Sequence, residues 1–280
     1  MVTSTFKLYT IEGIDYDAII ALYRQICVEG VKDIDTNTIS VYSSDIEYLQ
    51  VRKPRKPLND DTKILNKAKY LIHTISYRQL TNRENSDGAY LQYAVLQSVL
   101  GKDVYELLKA LEKLGYIHIN YQYIVGKHSM IYKVNGDITS TECGNYTIKK
   151  YIDKTKQLLK DAVLVRLNSE EFKKEYGENF GNSYIKNLNL FKVKDVYGFN
   201  NYIKNEIELN PKKEYYYNFI KESFNSDLKI YRIDGNNRIY HLLTSLEREL
   251  KEFINIRYSI DCKNSHPVLF NYFIFNFYDG

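Results

Sequence analysis

Apolar positions first take helical spacing at Asp15–Glu29, where Ile19, Ile20, Leu22, Tyr23 and Ile26 share one broad face and Gly30 supplies the stop. Thr38–Tyr42 then reads as a short strand of β-branched residues. Further along, Tyr90–Val99 predicts a helix ended at Gly101. Asp103–Leu114 predicts a second, with Val104, Leu107, Leu108, Leu111 and Leu114 three and four apart. Gly115 suits the left-handed position that closes it. Tyr116–Tyr121 alternates as a strand, residues 125–128 make a turn, and Met130–Val134 returns as the partner strand. Tyr146–Leu167 is a long amphipathic helix whose apolar side is Ile148, Ile152, Leu158, Leu159, Ala162 and Leu167. Gly177, Gly181 and Gly198 punctuate the next stretch, and Pro211 separates helices at Asn200–Leu209 and Lys213–Asn225. Near the carboxy terminus, Arg257–Ile260 reads as a strand, Lys263, Asn264 and Ser265 as a turn, and Pro267 as a first-turn residue of a helix. Val268–Tyr278 is apolar nearly all round. It must be buried, either in this protein's own core or against a protein partner, a second copy included.

The clearest break is Arg52-Lys53-Pro54-Arg55-Lys56-Pro57, where two prolines remove backbone donors and four cations crowd together. From Arg52 to Lys69 there are seven cations against two carboxylates. Such a segment is either a solvated linker or an arm that lies along phosphates. The expected division is therefore an amino-terminal cap and basic linker over 1–57, a second domain over 58–140 and a helical region over 141–280. No fixed-period repeat runs through the chain.

Composition narrows the class without naming a partner. With 280 residues, 44% apolar and 26% charged, the chain is long enough for a core without disulfides. The net charge of +4 is too small to imply nucleic acid by itself. Its 28 tyrosines, 12 phenylalanines and absent tryptophan go with abundant Asn, Lys and Ile, the usage of an AT-rich genome. Lys212 and Lys213 beside Tyr215, Tyr216 and Tyr217 offer either core tyrosines on a helix or a stacking platform for single strands. Residues 1–20 lack a basic start followed by an apolar block, and no apolar run reaches membrane-spanning length. Three widely spaced cysteines, Cys27, Cys143 and Cys262, read as small core residues in a reducing compartment. The expected location is intracellular, with no membrane partner. There is no phosphate-binding loop of the Gly-x-x-x-x-Gly-Lys type, no His-Glu-x-x-His and no Gly-x-Ser-x-Gly.

Helix, short link, helix and hairpin over 88–135 follow the order of a winged helix. The phrases "LLKALEKLGYI" and "YIVGKHSMIYKV" resemble winged-helix domains of replication initiators and regulators. That resemblance makes Asp103–Leu114 the recognition helix, with Lys102, Lys109 and Lys113 on it and Lys127 in the wing. Asp103, Glu106 and Glu112 lie among those cations, so the helix could dock on protein as readily as enter a major groove.

The stretch 237–278 carries the sharpest chemistry. Asp261 ends a predicted strand just before a tight turn, where its carboxylate and a neighbouring carbonyl can converge on one divalent ion. The plainer reading is that Asp261 caps that turn through backbone N–H groups. "RIYH…LTSLERELKEF…SIDCKNSHPVLF" resembles uncharacterised proteins of Bacteroidetes plasmids, phages and integrative elements, whose phrase Asp-Ile-x-Asn-Ser-Gln-Pro is similar to motif A of family A DNA polymerases. The resemblance implies that Asp261 is the catalytic, metal-binding aspartate, with Mg²⁺ as its ion and the Cys262 carbonyl as a second contact. It places Asn264, Ser265 and His266 in the turn and Arg238 near template or primer backbone. His266 stands where the family has Gln, and Cys262 where it has an aliphatic residue. A two-metal site needs a second carboxylate, so this chain is not expected to polymerise alone.

The expected fold class is thus a helix-rich α+β protein: a winged-helix module, then a helical region leading into a partial, polymerase-palm-like strand–turn–helix. The expected function is a nucleic-acid-binding, replication-associated protein of a phage or mobile element, and the resemblance implies the cytoplasm of a bacterial or phage-infected cell, with a virion-associated role as the alternative. It would bind DNA or RNA weakly through Arg52, Lys53, Arg55, Lys56, Lys102, Lys109, Lys113, Lys127 and Arg238. The alternative is a non-enzymatic structural or regulatory protein that binds other proteins through the winged helix and residues 268–278.

Overall fold

The computed structural model describes residues 5–30, 53–81, 88–121, 130–233 and 237–255. The fold is helix-rich α+β and divides into two compact units, Met1–Gln157 and Leu158–Gly280.

In the first unit, β1 (Phe6–Ile11) leads into α1 (Tyr16–Glu29). Asp15 caps α1 by accepting from the Ala18 N–H at 3.0 Å, and Gly30 leaves it at φ 71°. Ile19, Tyr23, Ile26 and Cys27 form its buried side. The central helix is α2 (Asp61–Thr81), which is buried continuously from Tyr70 to Ser76. The basic character of its first turns points to a surface segment, yet Ile64, Ala68, Leu71, Ile72 and Ile75 are fully buried. Next come β2 (Ala89–Tyr90), α3 (Tyr93–Leu100), a 3₁₀ turn at Gly101–Asp103 and α4 (Val104–Lys113). The helix expected from Tyr90 starts three residues later. Its first residues are needed by the sheet, where Tyr90 pairs with Ile131. Gly115, at φ 75°, turns the chain from α4 into β3 (Ile117–Asn120). That strand pairs antiparallel with β4 (Ile131–Val134), Ile117 opposite Val134 and Asn120 opposite Ile131, as the alternation predicts. The three-stranded sheet has the order β2–β4–β3.

β5 (Ile138–Cys143) pairs antiparallel with β1, from Ile11 opposite Ile138 to Phe6 opposite Cys143. This pairing ties the segment before residue 57 to the segment around residue 140. His73 on α2 fastens the same corner: its Nδ1 accepts from the Tyr9 N–H at 3.1 Å, and its ring packs against those of Tyr9 and Tyr77, which also touch each other at 5.7 Å. The division between the units falls inside α5 (Tyr146–Leu167), whose bounds match the amphipathic pattern.

The second unit continues with α6 (Glu170–Tyr176), α7 (Phe180–Leu190), α8 (Val196–Leu209) and α9 (Glu214–Phe224). Phe172, Tyr176, Phe180 and Tyr184 pack ring against ring along α6 and α7. Tyr216 and Tyr217 are buried in α9, which makes them core residues. A hairpin follows, β6 (Ile230–Ile233) and β7 (Ile239–His241), with a bulge between Ile230 and Arg232. His241 caps the short α10 (Leu242–Ser245). A 3₁₀ stretch at Glu249–Phe253 then returns to the loop before α8, where the Phe253 carbonyl accepts from Lys194 N–H at 2.8 Å. The predicted strand at 38–42, strand at 257–260 and helix at 268–278 lie outside the described residues.

Candidate nucleic-acid interface

The expected phosphate contacts separate into three groups. Arg52 and Lys127 lie outside the described residues, as do Asp261, Cys262, Asn264, Ser265 and His266. Lys53, Lys56, Lys102, Lys113 and Arg238 are exposed. Arg55 and Lys109 are drawn into the fold.

Arg55 departs most from expectation. Its backbone N–H bonds the Cys27 carbonyl at 2.8 Å, which holds the proline-rich segment against α1. Its guanidinium forks onto Glu106, with Nε to Oε1 at 3.0 Å and Nη2 to Oε2 at 2.9 Å, and Nη2 also reaches Asp103 Oδ1 at 2.8 Å. Lys67, from α2, bonds the other Asp103 oxygen and the Leu100 carbonyl at 2.7 Å. The Tyr23 hydroxyl donates to Asp103 at 2.8 Å. Two cations and two carboxylates thus neutralise one another where α1, α2 and α4 meet. Both acid side chains are nearly closed off, at 7% and 3% exposure. Burial alone would raise the Asp103 carboxyl, but hydrogen bonds from Lys67, Arg55 and Tyr23 outweigh it and hold the group below its usual value. The Glu106 bonds raise Arg55 further, against its burial. The reading of Arg55 as a free arm on phosphates is therefore corrected. A guanidinium spent on two buried carboxylates has no fork left for a phosphate.

Cover over α4 has a second consequence. α1 packs along α4, and Val104, Tyr105, Glu106, Leu107, Leu108, Ala110 and Leu111 are all buried. Of its remaining residues, Lys109 bonds Glu112 at 2.8 Å and the Tyr121 hydroxyl, and lies 4.5 Å from the Tyr121 ring centre. Tyr121 donates to Glu112 at 2.6 Å, and burial together with that carboxylate pushes its hydroxyl pKa up. Lys109 is thus a local tie rather than a free cation. Only Lys113, in the last turn, is fully exposed. An α-helix reads bases by laying a side-chain row in the groove, and here that row is largely occupied by the protein itself.

The cavity behind Lys109, lined by Tyr93, Leu108, Tyr121, Met130 and Tyr132 among others, has a volume of ≈ 10 Å³, enough for one water and too small for an organic ligand. In the second unit, Lys229 is buried and donates to Ser226 O at 3.0 Å and Asn189 Oδ1 at 3.3 Å; burial lowers its ammonium pKa. Among the described residues no group of three or more His, Cys, Asp and Glu side chains could hold a metal ion, and no helix is long and apolar enough to cross a membrane.

Arg238 is exposed, just ahead of β7, with its guanidinium carbon 5.1 Å from the Tyr240 ring centre. Arg232, which the sequence reading passed over, lies 4.0 Å from the same centre. Strand alternation does not mark it, because Arg232 has the same parity as the buried Ile230 and only the bulge between them turns it outward. No family model, no curated protein and no solved structure matches the chain.

Proposed function

We propose that this chain is a nucleic-acid-binding, replication-associated protein of a phage or mobile element, one that grips phosphates without reading base edges and does not polymerise on its own. The supporting observation is the order of α2, β2, α3, α4, β3 and β4 with the sheet β2–β4–β3. That is the order of a winged helix, with α2, α3 and α4 in the place of its three helices. Burial of α4 limits base reading, so affinity falls to dispersed cations such as Lys53, Lys56, Lys102 and Lys113. A fluorescence-anisotropy titration with several unrelated oligonucleotides tests this. Affinities should agree within a few-fold across sequences and fall by ~10-fold or more between 50 and 200 mM salt. Silence at low salt toward every oligonucleotide removes the reading.

The second reading is a non-enzymatic protein that binds other proteins through this module. The closure of α1 over α4 favours it, because a recognition helix already docked on protein is a scaffold. Asp261 separates the enzymatic lineage from both. Mn²⁺ titrated into the wild type and Asp261→Ala should give different broadening if the aspartate holds an ion. Identical curves leave it as a turn-capping residue.

A further inference from the structure

We propose that the outer edge of β5 is a dimerisation surface, taken up by the β5 of a second copy of this chain in an antiparallel pairing centred on Ser140. The inference is independent of the nucleic-acid reading and goes beyond it.

The register decides which backbone groups are open. Along an antiparallel ladder, residues alternate between exchanging both hydrogen bonds with the partner strand and directing them away from it. The Glu12 N–H bonds the Asp137 carbonyl at 3.0 Å, so the backbone groups of Asp137, Thr139, Thr141 and Cys143 are turned toward β1. Tyr9 gives the same phase from the other strand: it stands opposite Ser140, and its N–H goes to His73, away from β5. The N–H and C=O groups of Ile138, Ser140 and Glu142 therefore point away from β1. β5 is an end strand of its two-stranded sheet, and Thr139, Ser140, Thr141 and Glu142 are exposed. Among the described residues no hydrogen bond reaches those outward groups.

Edge strands are commonly shielded by lysine, proline or a bulge. β5 reads ITSTEC, with no lysine or proline, and its register runs unbroken from Cys143 opposite Phe6 to Ile138 opposite Ile11. Its β-branched Ile138, Thr139 and Thr141 suit a pleated neighbour.

The second copy fits because the open edge is its own complement. A twofold axis sets a strand against itself with its order reversed, so the outward residues must fall opposite one another. Centred on Ser140, they do: Ser140 meets Ser140 of the second copy, and Ile138 and Glu142 meet each other at both ends. Every outward N–H then finds a carbonyl, with two hydrogen bonds exchanged in each pair. Thr139 and Thr141 face each other across the seam, a favourable cross-strand pair. The two Glu142 carboxylates do not oppose. They lie four positions apart along the seam, about 13 Å at ~3.4 Å per residue, beyond the ~8 Å screening length at physiological salt. One short strand buries much less than the ~1,600 Å² of a standard interface, so the dimer is weak and depends on concentration.

Sedimentation velocity on the full chain, from about 5 to about 500 µM, tests the pairing. The wild-type mass should climb toward twice that of the chain. Ser140→Pro removes the central N–H, and because that N–H points away from β1, the ladder with β1 keeps its bonds. Ser140→Lys brings two ammonium groups face to face at the axis. Each variant should weaken dimerisation by about tenfold or more. Circular dichroism verifies the fold, and Ser140→Lys carries the test should Ser140→Pro unfold. The register has its own readout. With oxidised glutathione as oxidant, Ser140→Cys should form a disulfide-linked dimer, since opposed Cα atoms ~5.5 Å apart are within disulfide range. Glu142→Cys, whose mate is Ile138, should crosslink about tenfold more slowly. A wild type that stays monomeric across the range overturns the proposal. So does a dimer that both Ser140→Pro and Ser140→Lys leave intact, or equal crosslinking of the two cysteine variants.

Discussion

At the scale of single residues, the centre of the first unit is Asp103. It sits at the amino end of α4, where the helix dipole favours a carboxylate, and accepts from Lys67, Arg55 and Tyr23. Asp103→Asn keeps the shape but leaves two cations facing a neutral amide. It should cost about 3 kcal/mol in urea denaturation, because breaking one member of a buried ionic group strands the rest. The carboxyl is held below its unfolded value, so the unfolded chain takes up the proton first as the solution is acidified. Stability from Asp103 is therefore complete above about pH 4 and lost as pH falls through the folded value. In Asp103→Asn that loss should vanish from the acid limb. The histidines extend the dependence upward. Burial, with Lys156 near the first and Lys251 near the second, lowers His73 and His241 to about 4. Between roughly pH 6.5 and 4 the unfolded imidazoles bind protons that the folded ones do not, so stability declines as pH falls through that window. The ring-proton NMR shifts of both should stay flat from pH 8 to about 5; a titration near neutrality would show that either ring is hydrated.

At the scale of elements, periodicity carried furthest where one side of a segment is wet. α5 and the β3–β4 hairpin were legible to within a residue or so, because their polar faces contrast with their apolar ones. α2 was not legible. It is the central helix, and it buries Asn66, His73, Thr74 and Ser76 together with its apolar residues, which erases the period. Its lysines point to a surface helix until Lys67 is seen turned onto Asp103. β2 was absorbed into the predicted α3 for a related reason: a two-residue strand leaves no alternation, and only its partner β4 defines it. Gly88, just before β2, can be tested directly. It sits at φ 135°, and a Cβ there would meet the Tyr132 carbonyl oxygen at 2.7 Å and Ile131 Cγ2 at 2.9 Å. Gly88→Ala should therefore destabilise the protein by roughly 1–3 kcal/mol, read as a lower urea midpoint with unchanged slope. An unchanged midpoint would mean that β2 does not lie against β4.

At the scale of the whole chain, the candidate site was legible in kind but not in place. The count of cations between Arg52 and Lys69 is a true property of the sequence. Which of them face water depends on partners dozens of residues away, as with Arg55 on Asp103 and Glu106 and Lys67 on Asp103. Arg232 was passed over because its place on the Tyr240 ring comes from a cross-strand pairing and a bulge, neither of which composition records. The pairing of β1 with β5 bears on how the protein is made. β1 leaves the ribosome well ahead of its partner strand: Cys143, the partner of Phe6, follows only after well over a hundred more residues. At translation rates of ~5–20 residues per second, β1 waits on the order of ten seconds with its hydrogen-bonding edge unmet. During that interval Leu8, Tyr9 and Ile11, all buried in the finished protein, have no sheet to join. A nascent chain with a strand left waiting in this way depends on holdase chaperones, and overproduction without them should direct it to inclusion bodies through that strand.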